Sequence, residues 1–411
     1  MDKNVFDVII VGGGPGGSTA ATLLSKYGRK VLLLEKAKFP RDKTCGDAIS
    51  GKSVAVLKEL GLTDAVEKAP HAIVTGVTFS SPNGTLAEIP FKVQEGYHAS
   101  GYVCRREVYD NILFQNAKKQ PNVTTIEQFQ VDELVMDGAR VAGVTGTDLV
   151  TKEKQEFRAS VVVGADGATS VVARKLGLNE LMPDHHCTAL RMYYKGVKGM
   201  TNNIEIHFVP ELMPGYFWIF PLENGLANVG SGMLTSDMAK RKINLKEITY
   251  KAIKENPMFK DRFADAVEVS PVKGWNLPFG STHRKNHGDG FVLVGDAASL
   301  IDPFSGEGIG NAMTSGSFAA KAINAALKSG DTSEEFFKKN YDEPLWKLIG
   351  NELKSSYNMQ RLGKKEFLLN YVVKKAATSE QAREMISSTL ANPEARNEYQ
   401  SPLFYLKLLF S

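Results

Sequence analysis

Cysteine is scarce in this chain of 411 residues: Cys45, Cys104 and Cys187 stand far apart, with no CxxC spacing. That excludes a disulfide scaffold and argues against a zinc site, so a reducing cytoplasm is the expected compartment. Charge of one sign is scarce too. Fifty Lys+Arg against 46 Asp+Glu leave +4 at pH 7, and without a dense basic block nucleic acid is not an expected partner. No apolar run reaches the length of a transmembrane helix. The early run Val8-Ile9-Ile10-Val11 has no basic segment ahead of it and is broken at once by glycine. It predicts a buried strand and not a signal peptide. Internal repeats and low-complexity tracts are absent as well.

What is present is ordinary globular material, 43% hydrophobic and 23% charged, a balance that buries a core. At roughly 150 residues per domain the length predicts two or three domains. The first forty residues predict a βαβ start: a strand from Phe6 to Val11, a glycine cluster, a helix from Ser18 to Tyr27 closed by Gly28, and a strand from Val31 to Leu34. Val77 to Phe79 and Leu86 to Phe91 flank Pro82-Asn83-Gly84, a hairpin signal. A helix is predicted from Arg106 to Lys118, then an antiparallel meander over 122–160 turning at Asp137-Gly138, then a buried strand from Val161 to Val163. Residues 185–275 alternate as in a β-rich unit. The first pattern returns with a strand from Phe291 to Val294 and a helix from Gly308 to Leu327.

The expected fold is therefore α/β. A Rossmann-like dinucleotide-binding domain (1–75, 100–180 and 276–331) is interleaved with a β-sheet-rich substrate domain (76–99 and 181–275). A helical C-terminal region follows over 332–411. Its apolar run at 401–410 is too short to span a membrane. It is expected to dock on the core, with peripheral membrane contact as the alternative.

Chemistry enters at Gly12-Gly13-Gly14-Pro15-Gly16-Gly17. Gly12, Gly14 and Gly17 satisfy GxGxxG between a strand and a helix, where glycine permits a tight turn, close approach to a pyrophosphate and helix–sheet packing. Glu35 ends the second strand, 18 residues beyond Gly17. Its carboxylate is placed to accept from ribose hydroxyls; the alternative is an ordinary solvated strand end. Two further motifs follow, one at Gly164-Ala165-Asp166-Gly167 and one at Gly290 to Ser299, where Gly295-Asp296 closes an apolar strand. Asp302-Pro303-Phe304-Ser305-Gly306-Glu307-Gly308-Ile309 then leads into a small-residue helix. At Tyr216, Trp218 and Phe220 three rings alternate at period two, so one strand face carries all three. They would line an apolar tunnel or form a sheet's core stripe.

The three glycine motifs, in this order, resemble the signatures of flavoprotein hydroxylases and their relatives. YFWIFP at 216–221, followed by Gly230-Ser231-Gly232, and Cys45-Gly46-Asp47 after the second strand resemble the geranylgeranyl reductase family. The resemblance covers roughly residues 5–330 and implies FAD as cofactor. It implies that Gly12, Gly14, Pro15, Gly16, Gly17, Glu35, Lys36 and Arg41 serve the nucleotide and pyrophosphate. It adds Gly46, Asp47, Arg106, Ala165, Asp166, Gly167, Gly295, Asp296, Pro303, Gly306, Gly308 and Ile309 around the phosphate, ribityl chain and flavin. Arg105 competes with Arg106 for its place, an N-cap role competes for Asp296, and helix packing competes for the glycines after Pro303. Tyr216, Trp218 and Phe220 are then substrate-binding. Cys45 is the candidate proton donor, against the alternative of a small buried hydrophobe.

The implied reaction is hydride transfer from reduced flavin to a carbon–carbon double bond of a geranylgeranyl or other isoprenoid chain. No second GxGxxG is visible, so NAD(P)H or another reductant, including a redox partner protein, is expected to act transiently. An FAD-dependent monooxygenase or halogenase shares the flavin motifs, and a non-catalytic lipid-binding flavoprotein shares the apolar face. No metal is expected.

Overall fold

A computed structural model describes residues 4–91 and 101–391. The strands Val5–Val11, Val31–Glu35, Val123–Glu127, Lys154–Gly164 and Phe291–Leu293 form a parallel sheet. Val5–Val11 lies in its centre, between Val31–Glu35 and the C-terminal half of Lys154–Gly164. Its continuous apolar run follows from burial on both faces. The predicted meander is present from Phe129 on: Phe129–Asp137 and Arg140–Asp148 pair antiparallel, with Gly138 at φ 61 in the turn, and hand on to Lys154–Gly164, whereas Val123–Glu127, expected within it, pairs parallel with Val31–Glu35.

The helix after the glycine turn spans Pro15–Lys26, starting three residues before the expected position. Proline at the first helical position needs no partner for a missing N–H, and its φ is already helical. This helix packs against the long helix Ile309–Ser329. Glycine makes the approach feasible: a Cβ on Gly316 would stand 2.4 Å from the Gly16 carbonyl oxygen.

The second large sheet contains, in spatial order, Val267–Glu268, His186–Lys195, Leu226–Leu234, Tyr216–Pro221, Asn203–His207, Gly76–Ser80 and Leu86–Pro90. Lys273–Pro278 also pairs with His186–Lys195. The hairpin 76–90 thus joins strands more than a hundred residues away, through a parallel pairing with Asn203–His207. One face of this sheet packs under helices Leu245–Glu255 and Lys260–Phe263, around Phe217, Ile219, Val229 and Phe259. These helices, and Gly51–Leu60 earlier, interrupt what sequence alternation alone suggested. The other face turns toward the parallel-sheet unit.

Residues 332–391 are helical, as expected, through Glu343–Gly363, Glu366–Thr378 and Glu380–Ala391. Val373 and Ala376 pack on Val77, Ala87 and Ile89 of the hairpin. The apolar run 401–410 lies outside the described residues, as do 92–100. Among the described residues no helix is long and apolar enough to cross a membrane.

Candidate active site

One continuous cavity of about 1690 Å³ opens between the C-terminal ends of the parallel strands and the inner face of the second sheet. Its polar end is built on the glycine turn. Gly12 has φ 104, and a Cβ there would meet the Ala165 carbonyl oxygen at 2.4 Å, so the turn closes only with glycine. Glu35 stabilises the same turn: Oε2 accepts from the Gly13 N–H at 2.8 Å, and Oε1 from the Ala37 N–H at 2.7 Å. It still lines the cavity and keeps acceptor capacity there. Asp166 lines the wall too, but its carboxylate caps the short helix Val171–Lys175, accepting from Val171 N–H and Ser170 Oγ.

Farther along, Asp296 lines the cavity, and its carboxylate receives no hydrogen bond from the described residues. Lys43 is its nearest cation, at 3.9 Å. A carboxylate held in this way is free to accept from a chain of hydroxyls. The N-terminus of Ile309–Ser329 points its first turn at the same space, with Gly306 and Gly308 in the wall.

Behind the polar end lies a buried ion cluster. Asp110 is fully buried and accepts from Arg106 Nε at 2.6 Å, from Arg106 Nη2 at 2.7 Å and from Arg41 Nη1 at 2.8 Å. Burial alone would raise its pKa; the two guanidinium groups overcome that and hold it below the ordinary carboxylate value. Arg106 lines the cavity, whereas Arg105 turns to Glu223 and Glu107 and does not. Arg106 also stands beside the Cys45 thiol. Burial nonetheless pushes that thiol above its ordinary value, against the pull of Arg106, so Cys45 keeps its proton at neutral pH.

The apolar end is the second sheet's inner face. Tyr216, Trp218 and Phe220 line it together with Ile204, Ile206 and Val74. The Gly230–Gly232 motif acquires its reason here. A Cβ on Gly230 would sit 2.1 Å from the Trp218 ring, so the indole lies where a side chain would otherwise stand. Trp218 Nε1–H donates to Asn228 Oδ1 at 2.8 Å. Asn228 Nδ2 in turn donates to the Cys45 carbonyl at 2.7 Å and to Asp47 Oδ2 at 2.8 Å. Asn228 thereby ties the aromatic wall to the Cys45-Gly46-Asp47 loop. Nothing local singles it out in sequence, because the loop it holds lies 181 and 183 residues away.

Most of the residues singled out from sequence border this cavity: Gly12, Gly14, Pro15, Gly16, Glu35, Lys36, Arg41, Cys45, Gly46, Arg106, Ala165, Asp166, Gly167, Gly295, Asp296, Gly306, Gly308, Ile309 and the three aromatic residues. Three do not. Gly17 faces inward, where a Cβ would meet the Gly12 carbonyl oxygen at 1.9 Å, so it serves helix–strand approach. Asp47, at φ 66, turns away from the cavity to Tyr193, Asn228 and the Arg106 N–H. Pro303 lies outside the wall, with its carbonyl taken by Gln360 Nε2 at 2.6 Å.

An extended dinucleotide with a flat ring at one end fits this set: a glycine cradle, an acid at the second strand's end, a carboxylate midway that no hydrogen bond from the described residues occupies, and a helix N-terminus at the ring. In agreement, the FAD binding domain family model matches residues 5–343. Digeranylgeranylglycerophospholipid reductase 1 of Methanopyrus kandleri is 33% identical over 342 residues, covering 82% of this chain and 85% of that one. A geranylgeranyl bacteriochlorophyll reductase-like protein of Thermoplasma acidophilum superposes with a TM-score of 0.81 at 25% identity, covering 97% of this chain and 99% of that one. A flavin-dependent brominase shares the fold, with a TM-score of 0.77 at 20% identity over 98% of this chain and 99% of that one.

Proposed function

The chain belongs to the geranylgeranyl reductase family of FAD-dependent oxidoreductases, and on that premise we propose that it reduces carbon–carbon double bonds in the isoprenoid chains of a geranylgeranylated phospholipid. The observation that carries this reading is the continuity of one cavity from the dinucleotide cradle to the aromatic and aliphatic wall. An isoprenoid laid along Trp218, Phe220, Ile204 and Ile206 reaches the flavin end without crossing water.

When bound, reduced FAD supplies the hydride. The chain's own residues do the rest. Glu35 and the glycine turn would hold the adenosine end, Asp296 would hold the ribityl hydroxyls, and Gly46, whose missing Cβ admits the Phe220 ring, would border the flavin ring with Gly306. The helix N-terminus after Gly308 favours negative charge beside it. An isolated alkene has no carbonyl to polarise, so orientation supplies much of the acceleration. The aromatic wall provides that orientation and excludes water. Cys45 Sγ, kept protonated by its desolvation at the cavity wall, supplies the proton for the second alkene carbon. NAD(P)H or a partner protein brings electrons and leaves.

The test is anaerobic. Flavin bleached with dithionite should regain its absorbance on mixing with a geranylgeranylated phospholipid. Flavin that stays bleached with every prenylated lipid offered would sink the reading.

A further inference from the structure

The inner face of the second sheet has a polarity gradient that its strand register sets out in rows. One row runs Lys273, Arg191, Gly230, Trp218, Ile206, Phe79 across six strands. The row beside it runs Trp275, Ala189, Gly232, Tyr216. The first begins with two cations and the second with an indole N–H; both pass over glycine or alanine to an aromatic ring, and the first continues to Ile206 and Phe79. Such a wall is amphipathic along one direction, as a phospholipid is.

The polar end is underfilled. Lys43, from the opposite wall, places Nζ 4.1 Å over the Trp275 ring and 3.9 Å from Asp296. It has no hydrogen-bond acceptor among the described residues. Trp275 Nε1–H is buried without a hydrogen-bond partner among the described residues. Arg191 is fully buried and binds Asp42 through Nη2 at 2.6 Å, while Nε and Nη1 have no hydrogen-bond partner among the described residues. Lys273 binds the same Asp42 at 2.7 Å, so one carboxylate faces two cations. Lys43, Lys273 and Trp275 all line the cavity. Burial draws the Lys43 ammonium down to about 8, and the Asp296 carboxylate only partly offsets this. The dinucleotide's own phosphates belong elsewhere, at the glycine turn, where Arg41 Nη2 stands 3.6 Å from the Cβ position of Gly14.

We propose that Lys43, Lys273 and the Trp275 N–H form a seat for a second phosphate, that of the lipid substrate's head group, at the opposite end of the sheet from the prenyl tail. This rests on the isoprenoid reductase reading and extends it. The seat fixes the head, so the position of each double bond along the aromatic wall is counted from the phosphate. A nicotinamide dinucleotide donor carries the same chemical group, and the experiment separates the two sources.

Oxidised, FAD-loaded protein is titrated calorimetrically with two probes, geranylgeranyl diphosphate and geranylgeraniol. The diphosphate should bind at least about tenfold more tightly, the size of a charge-assisted hydrogen bond or two. Lys273→Met and Lys43→Gln should each remove most of that preference, and Trp275→Phe a smaller part, with flavin absorbance reporting an intact site. Equal affinity of the two probes in the native protein overturns the seat, as does a preference that survives both lysine substitutions. If instead the variants slow flavin reduction by NADPH while keeping the lipid preference, the phosphate is the donor's and the lipid assignment falls. A seat-dependent preference with no alkene reduced leaves the seat standing and removes the reductase reading.

Discussion

Two neighbouring residues carry opposite protonation arguments. Cys45 is expected to be the acid. Cys45→Ala should retain FAD yet slow reoxidation of reduced flavin by the alkene by roughly 10²–10⁴-fold, the range of general acid catalysis. Single-turnover kinetics measure this, and an unchanged rate would return Cys45 to packing. Asp47 is structural. It is fully buried, and burial pushes its carboxyl up to about 6 despite hydrogen bonds from Asn228 and Tyr193. A carboxyl raised in the folded state stabilises the fold below its unfolded pKa, and that stability is lost as pH rises through the folded value. Stability should therefore fall between about pH 4 and pH 6, by about 3 kcal/mol at most from this group. Asp47→Asn should lack that fall. Urea denaturation of both proteins across the window tests it, and parallel curves would refute the assignment.

At the scale of elements, the glycine turn separates two kinds of glycine that a motif treats alike. Gly17 lets the Pro15–Lys26 helix touch the first strand, whereas Gly14 only borders the cavity, its nearest Cβ contact being Arg41 Nη2 at 3.6 Å. Gly17→Ala should cost stability by overpacking, roughly 1–3 kcal/mol or more, and lose FAD with the fold. Gly14→Ala should fold with nearly native stability yet bind FAD weakly, because its methyl enters the cradle. Thermal denaturation of the apoproteins with flavin titration distinguishes them. Equal stability would contradict the packing role of Gly17. This turn was legible in the sequence because its backbone conformation is local. The junction of the Gly76–Ser80 strand with Asn203–His207 was not, because pairing partners at that separation leave no local periodicity. The same reason hid Asn228, and it misplaced Asp47: a cysteine–glycine–aspartate string shows where the loop lies but not which way a left-handed residue turns its side chain.

Over the whole molecule, two sheets share one cavity, and Trp218 joins the two halves. It lines the apolar end and, through Asn228, holds the Cys45 loop. Trp218→Phe keeps most of the apolar surface but removes the indole N–H. A loss of about 1–3 kcal/mol is expected from the buried amide oxygen left without a donor, together with a changed number of reduced bonds per lipid. Calorimetry and product analysis measure the two effects, and a stability loss with an unaltered product pattern would confine Trp218 to the core. The central claim concerns what happens to the alkene itself. Reduced protein is incubated under argon with a geranylgeranylated phospholipid, and the lipid is weighed by mass spectrometry. The expected product is heavier by whole pairs of hydrogen atoms, formed without oxygen; a strict requirement for oxygen, with an oxygen atom added to the product, would contradict it.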